Sequence, residues 1–158
     1  MTDRDAHYLR HAADLSRKGM DSGAGGPFGA VVVLDGQVVG EGWNRVTSTN
    51  DPTAHAEVVA IREACAKLNR FDLRGGVLYA SCEPCPMCLA ASLWARLDRI
   101  VYANTRDQAA DIGFDDAELY AQVALPPTAR AVPCIHQPSD AALDVFKAWA
   151  DKTDKIPY

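Results

Sequence analysis

Residues 81–88 read SCEPCPMC, and this stretch places three of the chain's five cysteines at three-residue intervals. Such a run is typical of an iron–sulfur cluster, a closed structural zinc site, or part of a catalytic zinc site whose remaining ligand lies elsewhere. An iron–sulfur run has the pattern C-x₂-C-x₂-C-x₃-C, but Ser92 stands where the fourth cysteine should be. A four-cysteine zinc site is disfavoured as well, because Cys65 and Cys134 form no second C-x₂-C pair.

The second half of this stretch favours the third kind of site. Pro84 is suited to the first turn of a helix, so Cys85 and Cys88 are expected at positions i and i+3 on one helix face. Cys82 precedes that helix at the end of a strand, and we expect its side chain to point elsewhere. Thiolates at a helix N-terminus lie at the positive end of the helix dipole, which lowers their pKa and prepares them for a metal ion.

The missing nitrogen ligand is predicted in a second motif, His55-Ala56-Glu57, near the start of another predicted helix. Cβ atoms tilt towards a helix N-terminus, so an ion beyond that end can be bound by His55 and approached by the longer Glu57. One imidazole and two thiolates suit zinc, and three protein ligands leave the open position typical of catalytic sites. We therefore predict one Zn²⁺ per subunit, bound by His55, Cys85 and Cys88, with Glu57 as the catalytic proton shuttle.

The two motifs together are more specific than either alone. H-x-E is a weak signal and C-x-x-C is ambiguous, but H-x-E followed by P-C-x-x-C is the signature of zinc-dependent nucleobase deaminases. The alternative is a chance pairing of these residues around a core histidine.

The composition is that of one ordinary globular domain, predicted over residues 1–158. Hydrophobic residues make up 48% of the chain and charged residues 23%. The first twenty residues are too charged for a secretory signal, and no apolar run approaches the length of a membrane span. Five cysteines, three of them clustered, favour reduced thiols and a cytoplasmic protein. The formal net charge of −5 argues weakly against a nucleic-acid partner.

The order of predicted elements indicates an α/β protein. An amphipathic helix over about residues 3–19 precedes AVVVLDGQVVGEG (30–42), which is typical of a hairpin turning at Asp35-Gly36. A helix starting near Asp51-Pro52, a buried strand, a helix after the cysteines and another strand follow. Short helices are predicted around 115–122 and near 140–150. Strands that alternate with helices in this way predict an α/β sandwich with a mixed sheet.

Beyond the metal motifs, the sequence resembles the cytidine/deoxycytidylate deaminase superfamily, and more closely the small bacterial guanine deaminases. The resemblance covers nearly the whole chain and is weakest from Leu125 to Asp144. The stretches that carry it are GGPFGAVVV (25–33), TSTNDPTAHAEVVAIREAC (47–65), SCEPCPMCLAASLWAR (81–96), GFDD (113–116) and the terminal Tyr158. With it we predict a three-layer α/β/α sandwich with a mixed five-stranded sheet, the cytidine deaminase-like fold.

The resemblance implies further roles for individual residues. It implies zinc on His55, Cys85 and Cys88, with Glu57 as proton shuttle. It also implies substrate contacts by Asn44 and Asp116, packing around a purine ring by Phe28 and Trp94, and closure of the site by Tyr158. A homodimer is implied as well, in which the C-terminal segment, about residues 139–158, crosses to cover the partner's pocket.

Guanine deamination to xanthine and ammonia, a step of purine catabolism or salvage, is the reaction predicted. Guanine offers donors at N1 and at the 2-amino group, both of which one carboxylate such as Asp116 can accept. Without the resemblance, the Asp115-Asp116 pair reads more simply as a helix N-cap with a solvated neighbour. The glycine-rich GAGGPFG (23–29) is either a close approach to a flat ligand or a turn.

Other activities remain open at this point. Related deaminases could act on guanosine, ammeline or cytosine, and a tRNA adenosine deaminase shares the zinc motif. Residues 140–158 hold four aspartates and three lysines, which disfavours gripping RNA. A zinc protein that kept the fold and lost turnover is a further alternative, disfavoured by the intact Glu57. We predict a small-molecule purine as partner, with no nucleic acid and no membrane.

Overall fold

The structure is a computed structural model that describes residues 2–157. The chain divides into two compact units, one up to Glu118 and one from Leu119 onward. The single domain expected from composition stays a prediction. The helices are α1 (Asp3–Asp21), α2 (Val46–Thr49), α3 (Ala56–Leu68), α4 (Pro86–Trp94), α5 (Arg106–Asp111), α6 (Ala117–Ala124) and α7 (Asp140–Asp151), and a 3₁₀ turn spans Pro127–Ala129. The strands are β1 (Gly29–Leu34), β2 (Gln37–Trp43), β3 (Val77–Cys82) and β4 (Arg99–Asn104).

The strands form one mixed sheet in the order β2-β1-β3-β4. β1 pairs antiparallel with β2 and β3, whereas β3 and β4 are parallel. The hairpin turns where predicted, because Asp35 and Gly36 both adopt the positive φ that this type of turn requires. The predicted fold class is confirmed, with four strands in the described chain where five were predicted. The chain after β4 is rich in proline between residues 125 and 138, and proline cannot donate to a strand ladder.

Alternate side chains of β1 face opposite layers of helices. Val31 and Val33 pack in a cluster with Tyr8 and Leu15 of α1. Ala30 and Val32 point the other way, into a larger cluster that contains the apolar face of α3, namely Ala56, Ala60, Ile61 and Ala64. The sheet is therefore covered by α1 on one face and by α3 on the other, as in a three-layer sandwich.

An ion pair between the buried Asp5 and the half-exposed Arg99 ties α1 to the sheet. Asp5 is 4% exposed and accepts hydrogen bonds from the Tyr79 hydroxyl at 2.9 Å and from Arg99 Nη2 at 2.7 Å. Tyr79 lies on β3 and Arg99 on β4, so one carboxylate joins three elements. The Arg99 guanidinium, followed by the hydrogen bond from the backbone of Thr2, holds the pKa of Asp5 well below its usual range.

Both helices that carry the metal motifs begin later than predicted. The segment after Asp51-Pro52 forms a turn, and α3 begins only at Ala56, with His55 as its N-cap. In the second motif Pro86, not Pro84, occupies the first turn, and Cys85 is the N-cap of α4. None of the described helices combines the length and the apolar character that spanning a membrane requires.

Candidate active site

The N-termini of α3 and α4 bring the predicted metal ligands together. His55 and Cys85 are the N-cap residues of the two helices, and Cys88 lies in the first turn of α4. His55 Nδ1 lies 3.6 Å from Cys85 Sγ and 3.6 Å from Cys88 Sγ. The three ligand atoms all lie within 4.8 Å of one another, so they converge on one point.

These distances fit a zinc ion. Zinc bonds of about 2.3 Å to sulfur and about 2.0–2.1 Å to nitrogen, at tetrahedral angles, put the two kinds of ligand atom roughly 3.6 Å apart. The observed separations of 3.6 Å match this value. Two sulfurs and an imidazole are also ligands that zinc prefers over magnesium or calcium. The residues present therefore fit zinc in geometry and in chemistry.

The structure argues against both an iron–sulfur cluster and a four-cysteine zinc site. Ser92, at the place of the fourth cysteine of an iron–sulfur run, is buried, and its hydroxyl donates to the carbonyl oxygen of Cys88 at 2.8 Å. Cys82 lies outside the cluster, with its thiol 3.7 Å from the carbonyl oxygen of Thr105. Burial raises the pKa of the Cys82 thiol to about 11, which disfavours the thiolate needed for ligation.

The two cluster cysteines differ in acidity because they lie beside each other. The neighbouring Cys88 thiol favours a thiolate at Cys85 and, with His55, lowers the pKa of Cys85 to about 4. The interaction with Cys85, together with burial, raises the pKa of Cys88. A thiolate at Cys85 in turn raises the pKa of His55. Cys85 is therefore available as a thiolate, the form that binds a metal ion.

Glu57 lies in the first turn of α3, beside this cluster. Glu57 is buried at 7% exposure, and its carboxyl lies close enough to Cys88 to affect the pKa of that thiol. Burial raises the pKa of the Glu57 carboxyl, so its neutral form is unusually accessible. A carboxyl group whose pKa is raised in this way is suited to taking up a proton and then releasing it.

Asn44 follows β2 and is fixed in orientation by the backbone around it. It is buried, and its Oδ1 accepts a hydrogen bond from the Val46 N–H at 3.1 Å. Its own N–H donates to the carbonyl oxygen of Phe28 at 3.0 Å. The bond from Val46 fixes which way the amide faces, and its Nδ2 group is the donor that the Asn44 side chain can offer.

The two aspartates of the GFDD stretch have separate positions. Asp115 is exposed and accepts a hydrogen bond from the Ala117 N–H at 2.9 Å, the capping contact expected of the simpler interpretation. Asp116 is half-buried, and burial followed by the negative charge of Cys85 raises the pKa of its carboxyl. Asp116 therefore lies within electrostatic reach of the metal cluster, whereas Asp115 caps α6.

The predicted ring-packing residues differ in environment. Phe28 is half-buried and packs edge-on against Phe114, a residue that the sequence did not single out, with ring centroids 4.9 Å apart. Trp94 ends α4 at 62% exposure, with the Arg96 guanidinium 5.6 Å from its ring. Its contact with a substrate stays a prediction. Tyr158 lies outside the described residues.

The glycine-rich loop packs against both groups of residues. A Cβ on Gly25 would lie 2.2 Å from Asn44 Oδ1, and one on Gly26 would lie 2.9 Å from Phe114 Cζ. The motif thus allows backbone to approach the side chains of the candidate site, in addition to making a turn. Gly26 and Phe114 are 88 positions apart in the sequence, so local spacing could not predict that they are in contact.

Known proteins resemble this chain over most of its length. The family model of the cytidine and deoxycytidylate deaminase zinc-binding region matches residues 2–104. Guanine deaminase of Bacillus subtilis is 46% identical over 151 residues, which cover 96% of this chain and 97% of that protein. Its crystal structure superposes with a TM-score of 0.94 at 44% identity, covering 100% of this chain and 99% of the other.

A second group of relatives acts on RNA. The tRNA-specific adenosine deaminase of Haemophilus influenzae is 36% identical over 121 residues, covering 73% of this chain and 69% of that protein. The zinc-binding region matched by the family model contains His55, Cys85 and Cys88, so zinc is the cofactor of this site. The chain belongs to the zinc-dependent cytidine and deoxycytidylate deaminase family.

Proposed function

We propose that this protein hydrolyses guanine to xanthine and ammonia, with water as the second reactant. The observation that carries the proposal is the convergence of His55, Cys85 and Cys88 beside the buried Glu57. It is supported by a guanine deaminase that matches nearly the full length of the chain. A guanine substrate places the protein in purine catabolism or salvage, and its reduced cysteines favour a cytoplasmic location.

The metal would be held by His55 Nδ1 and the sulfurs of Cys85 and Cys88. When bound, zinc lowers the pKa of a water molecule towards about 7 and so supplies a nucleophile at neutral pH. The first turns of α3 and α4 keep the three ligand atoms in place. Because these atoms belong to two separate helices, the packing of α3 against α4 sets the geometry of the site.

Glu57 would move the protons of the reaction. Its carboxylate accepts a proton from the attacking water, and C2 of guanine becomes tetrahedral. Glu57 passes this proton to N3, then takes a second proton from the new hydroxyl on C2 and gives it to the amino nitrogen. The C2–N bond breaks as the C2 carbonyl forms, and the nitrogen leaves as ammonia. Burial of Glu57 serves this role, because a raised pKa brings the two protonation states closer in free energy.

Guanine itself would be recognised by Asn44 and Asp116. The Nδ2 donor of Asn44 matches the O6 acceptor of guanine. The Asp116 carboxylate matches the N1–H and 2-amino donors, and it would repel the ring acceptors that adenine and cytosine present instead. Phe28 would pack against the ring. Trp94 and Tyr158 complete the proposed set on the strength of the family resemblance.

We further propose a homodimer in which the C-terminal segment, about residues 139–158, covers the partner's site. The segment contains α7, whose large apolar side chains Leu143, Phe146 and Trp149 recur at three-residue intervals and are 46–75% exposed. A helix face of this kind needs a partner surface to bury it. Deletion of Tyr158 should lower turnover without unfolding the protein, and light scattering should report two chains. A monomer with unchanged kinetics after the deletion would contradict this proposal.

Ammonia release by the zinc-loaded protein tests the substrate. The panel is guanine, guanosine, adenine, cytosine, cytidine and ammeline, with a tRNA containing adenosine at the wobble position as a separate arm. We expect guanine to be deaminated with the highest kcat/KM. Asp116→Asn is the matched variant, and it should lose most activity towards guanine while it keeps its zinc. Activity restricted to cytidine or to tRNA would refute the guanine assignment.

A further inference from the structure

Two aromatic rings and one glycine join the loop that carries Asp116 to the loop that precedes β1. The Phe114 and Phe28 rings meet edge to face, with centroids 4.9 Å apart and planes at 89°. Both rings lie on Gly26, where a Cβ would be 2.9 Å from Phe114 Cζ and 3.2 Å from Phe28 Cε2. Gly26 therefore leaves the space that the tip of the Phe114 ring occupies.

The backbone around Phe114 fixes the ring relative to Asp116. The Phe114 N–H donates to the carbonyl oxygen of Ala109 at 2.9 Å, directly after Gly113, which has a positive φ. Asp116 follows two residues later, immediately before α6. The segment 113–116 is held at its start by this hydrogen bond and at its end by the Asp115 cap of α6. Between these two points, the ring of Phe114 is the side chain that contacts Gly26 and Phe28.

We propose that Phe114 is a positioning residue that holds Asp116 in place for substrate recognition, and that position 26 is glycine in order to seat its ring. The proposal rests on the role proposed above for Asp116. Phe28 also accepts the backbone N–H of Asn44, at 3.0 Å. The contact among Gly26, Phe28 and Phe114 therefore sets the distance between Asn44 and Asp116, the two residues proposed to bind guanine.

Because Phe114 lies in an exposed loop, an effect of its substitution on activity can be distinguished from an effect on protein stability. Phe114 is 46% exposed and belongs to neither of the two described core clusters, so its truncation leaves the core packing intact. In Gly26→Ala the nearest atom to the new Cβ is the tip of this ring, so the ring and the exposed loop that carries it would have to shift while the core stays in place. Both variants should therefore fold and retain zinc, although each displaces or removes the ring.

The test is a set of double-mutant cycles with guanine as substrate. We expect Phe114→Ala and Gly26→Ala each to lower kcat/KM by roughly 10- to 100-fold, since misplacement of about 1 Å costs up to about 10²-fold. The double variant should be no worse than Phe114→Ala alone, and Phe114→Leu should partly rescue Gly26→Ala by making room for the methyl group. In an Asp116→Asn background, Phe114→Ala should cost less than threefold.

Melting temperature and zinc content are measured for every variant. Losses that add in either cycle, or a Phe114→Ala enzyme with wild-type kcat/KM, would overturn the proposal. A loss that follows a fall in melting temperature or zinc content would overturn it too, because the residue would then be structural.

A second readout is independent of guanine turnover. The chain has four phenylalanines, so fluorine NMR of protein labelled with fluorophenylalanine gives few signals, and Phe114→Leu assigns the one from Phe114. Gly26→Ala should shift that signal, and an unshifted signal would refute the contact. If the wild-type protein released no ammonia from guanine, the proposed function would fail, whereas the fluorine signal would still decide whether Gly26 seats the ring.

Discussion

Substitution of Gly42 by alanine is predicted to damage the metal site through the fold. Gly42 lies on β2, where α3 crosses the strand so closely that a Cβ would be 2.1 Å from the carbonyl oxygen of Ala56 and 2.6 Å from the N–H nitrogen of Ala60. Side-chain carbons essentially never approach other atoms closer than 3.0 Å, so the first turn of α3 would have to retreat by about 1 Å. Overpacking of this kind typically costs about 1–3 kcal/mol of stability.

The same displacement moves catalytic groups, because Ala56 lies between His55 and Glu57. A misplacement of about 1 Å can cost roughly 10²-fold in rate. Gly40→Ala is the matched control, since its Cβ would meet the carbonyl oxygen of Ala60, one turn farther along α3, at 2.2 Å. Both variants should lose similar stability, but Gly42→Ala should lose far more activity.

Calorimetry and ammonia release on zinc-loaded protein measure the two effects. For a chain of this size, a loss of about 1–3 kcal/mol lowers the melting temperature by roughly 2–12 °C. We expect kcat/KM of Gly42→Ala to fall at least tenfold below that of Gly40→Ala at a temperature where both are folded. Equal activity of the two variants would refute the reasoning that the packing of β2 against α3 sets the geometry of the site.

Three further predictions concern single side chains. Glu57→Gln should retain one zinc while kcat falls by roughly 10²–10⁴-fold, and a metal-replete variant with wild-type turnover would contradict its role in proton transfer. Cys82→Ser should keep its zinc and most of its activity, whereas Cys85→Ser should lose both. Mass spectrometry measures the zinc content, and loss of zinc from Cys82→Ser would show that Cys82 is a ligand. Asp5 should contribute to stability because Arg99 lowers the pKa of its carboxyl. This contribution should be fully present above about pH 4. It should be lost as the pH falls below that value, because the unfolded chain then binds the extra proton. Denaturant titrations between pH 2 and pH 7 should therefore show that Asp5→Asn is less stable than wild type at neutral pH and loses less stability on acidification, and parallel curves would contradict this.

The fold could be predicted where local pattern and chemistry agree. The Asp35-Gly36 turn, four strands and the main helices follow from periodicity and turn residues, and the structure has each of them. The helix starts in the metal motifs were misplaced, because a proline that ends a turn and one that begins a helix look alike in sequence. The count of five strands came from the resemblance, and the proline-rich chain after β4 does not form the fifth.

The candidate site also contains some residues that the sequence predicts and others that it does not. His55, Cys85 and Cys88 could be predicted because metal chemistry restricts both residue type and spacing, and the structure brings their ligand atoms together. Phe114 escaped notice because an exposed phenylalanine in a loop has no periodic signal. Its contact with Gly26 depends on how two distant loops pack, which sequence spacing does not encode.

X-ray absorption at the zinc edge, on protein whose metal content has been counted, tests the central claim most directly. We predict one zinc per chain, with two sulfur neighbours at about 2.3 Å and two nitrogen or oxygen neighbours at about 2.0–2.1 Å, one from His55 and one from solvent. Four sulfur neighbours would show a closed structural site, and a fully active protein without zinc would show that the reaction does not depend on this cluster. Either result would contradict the account.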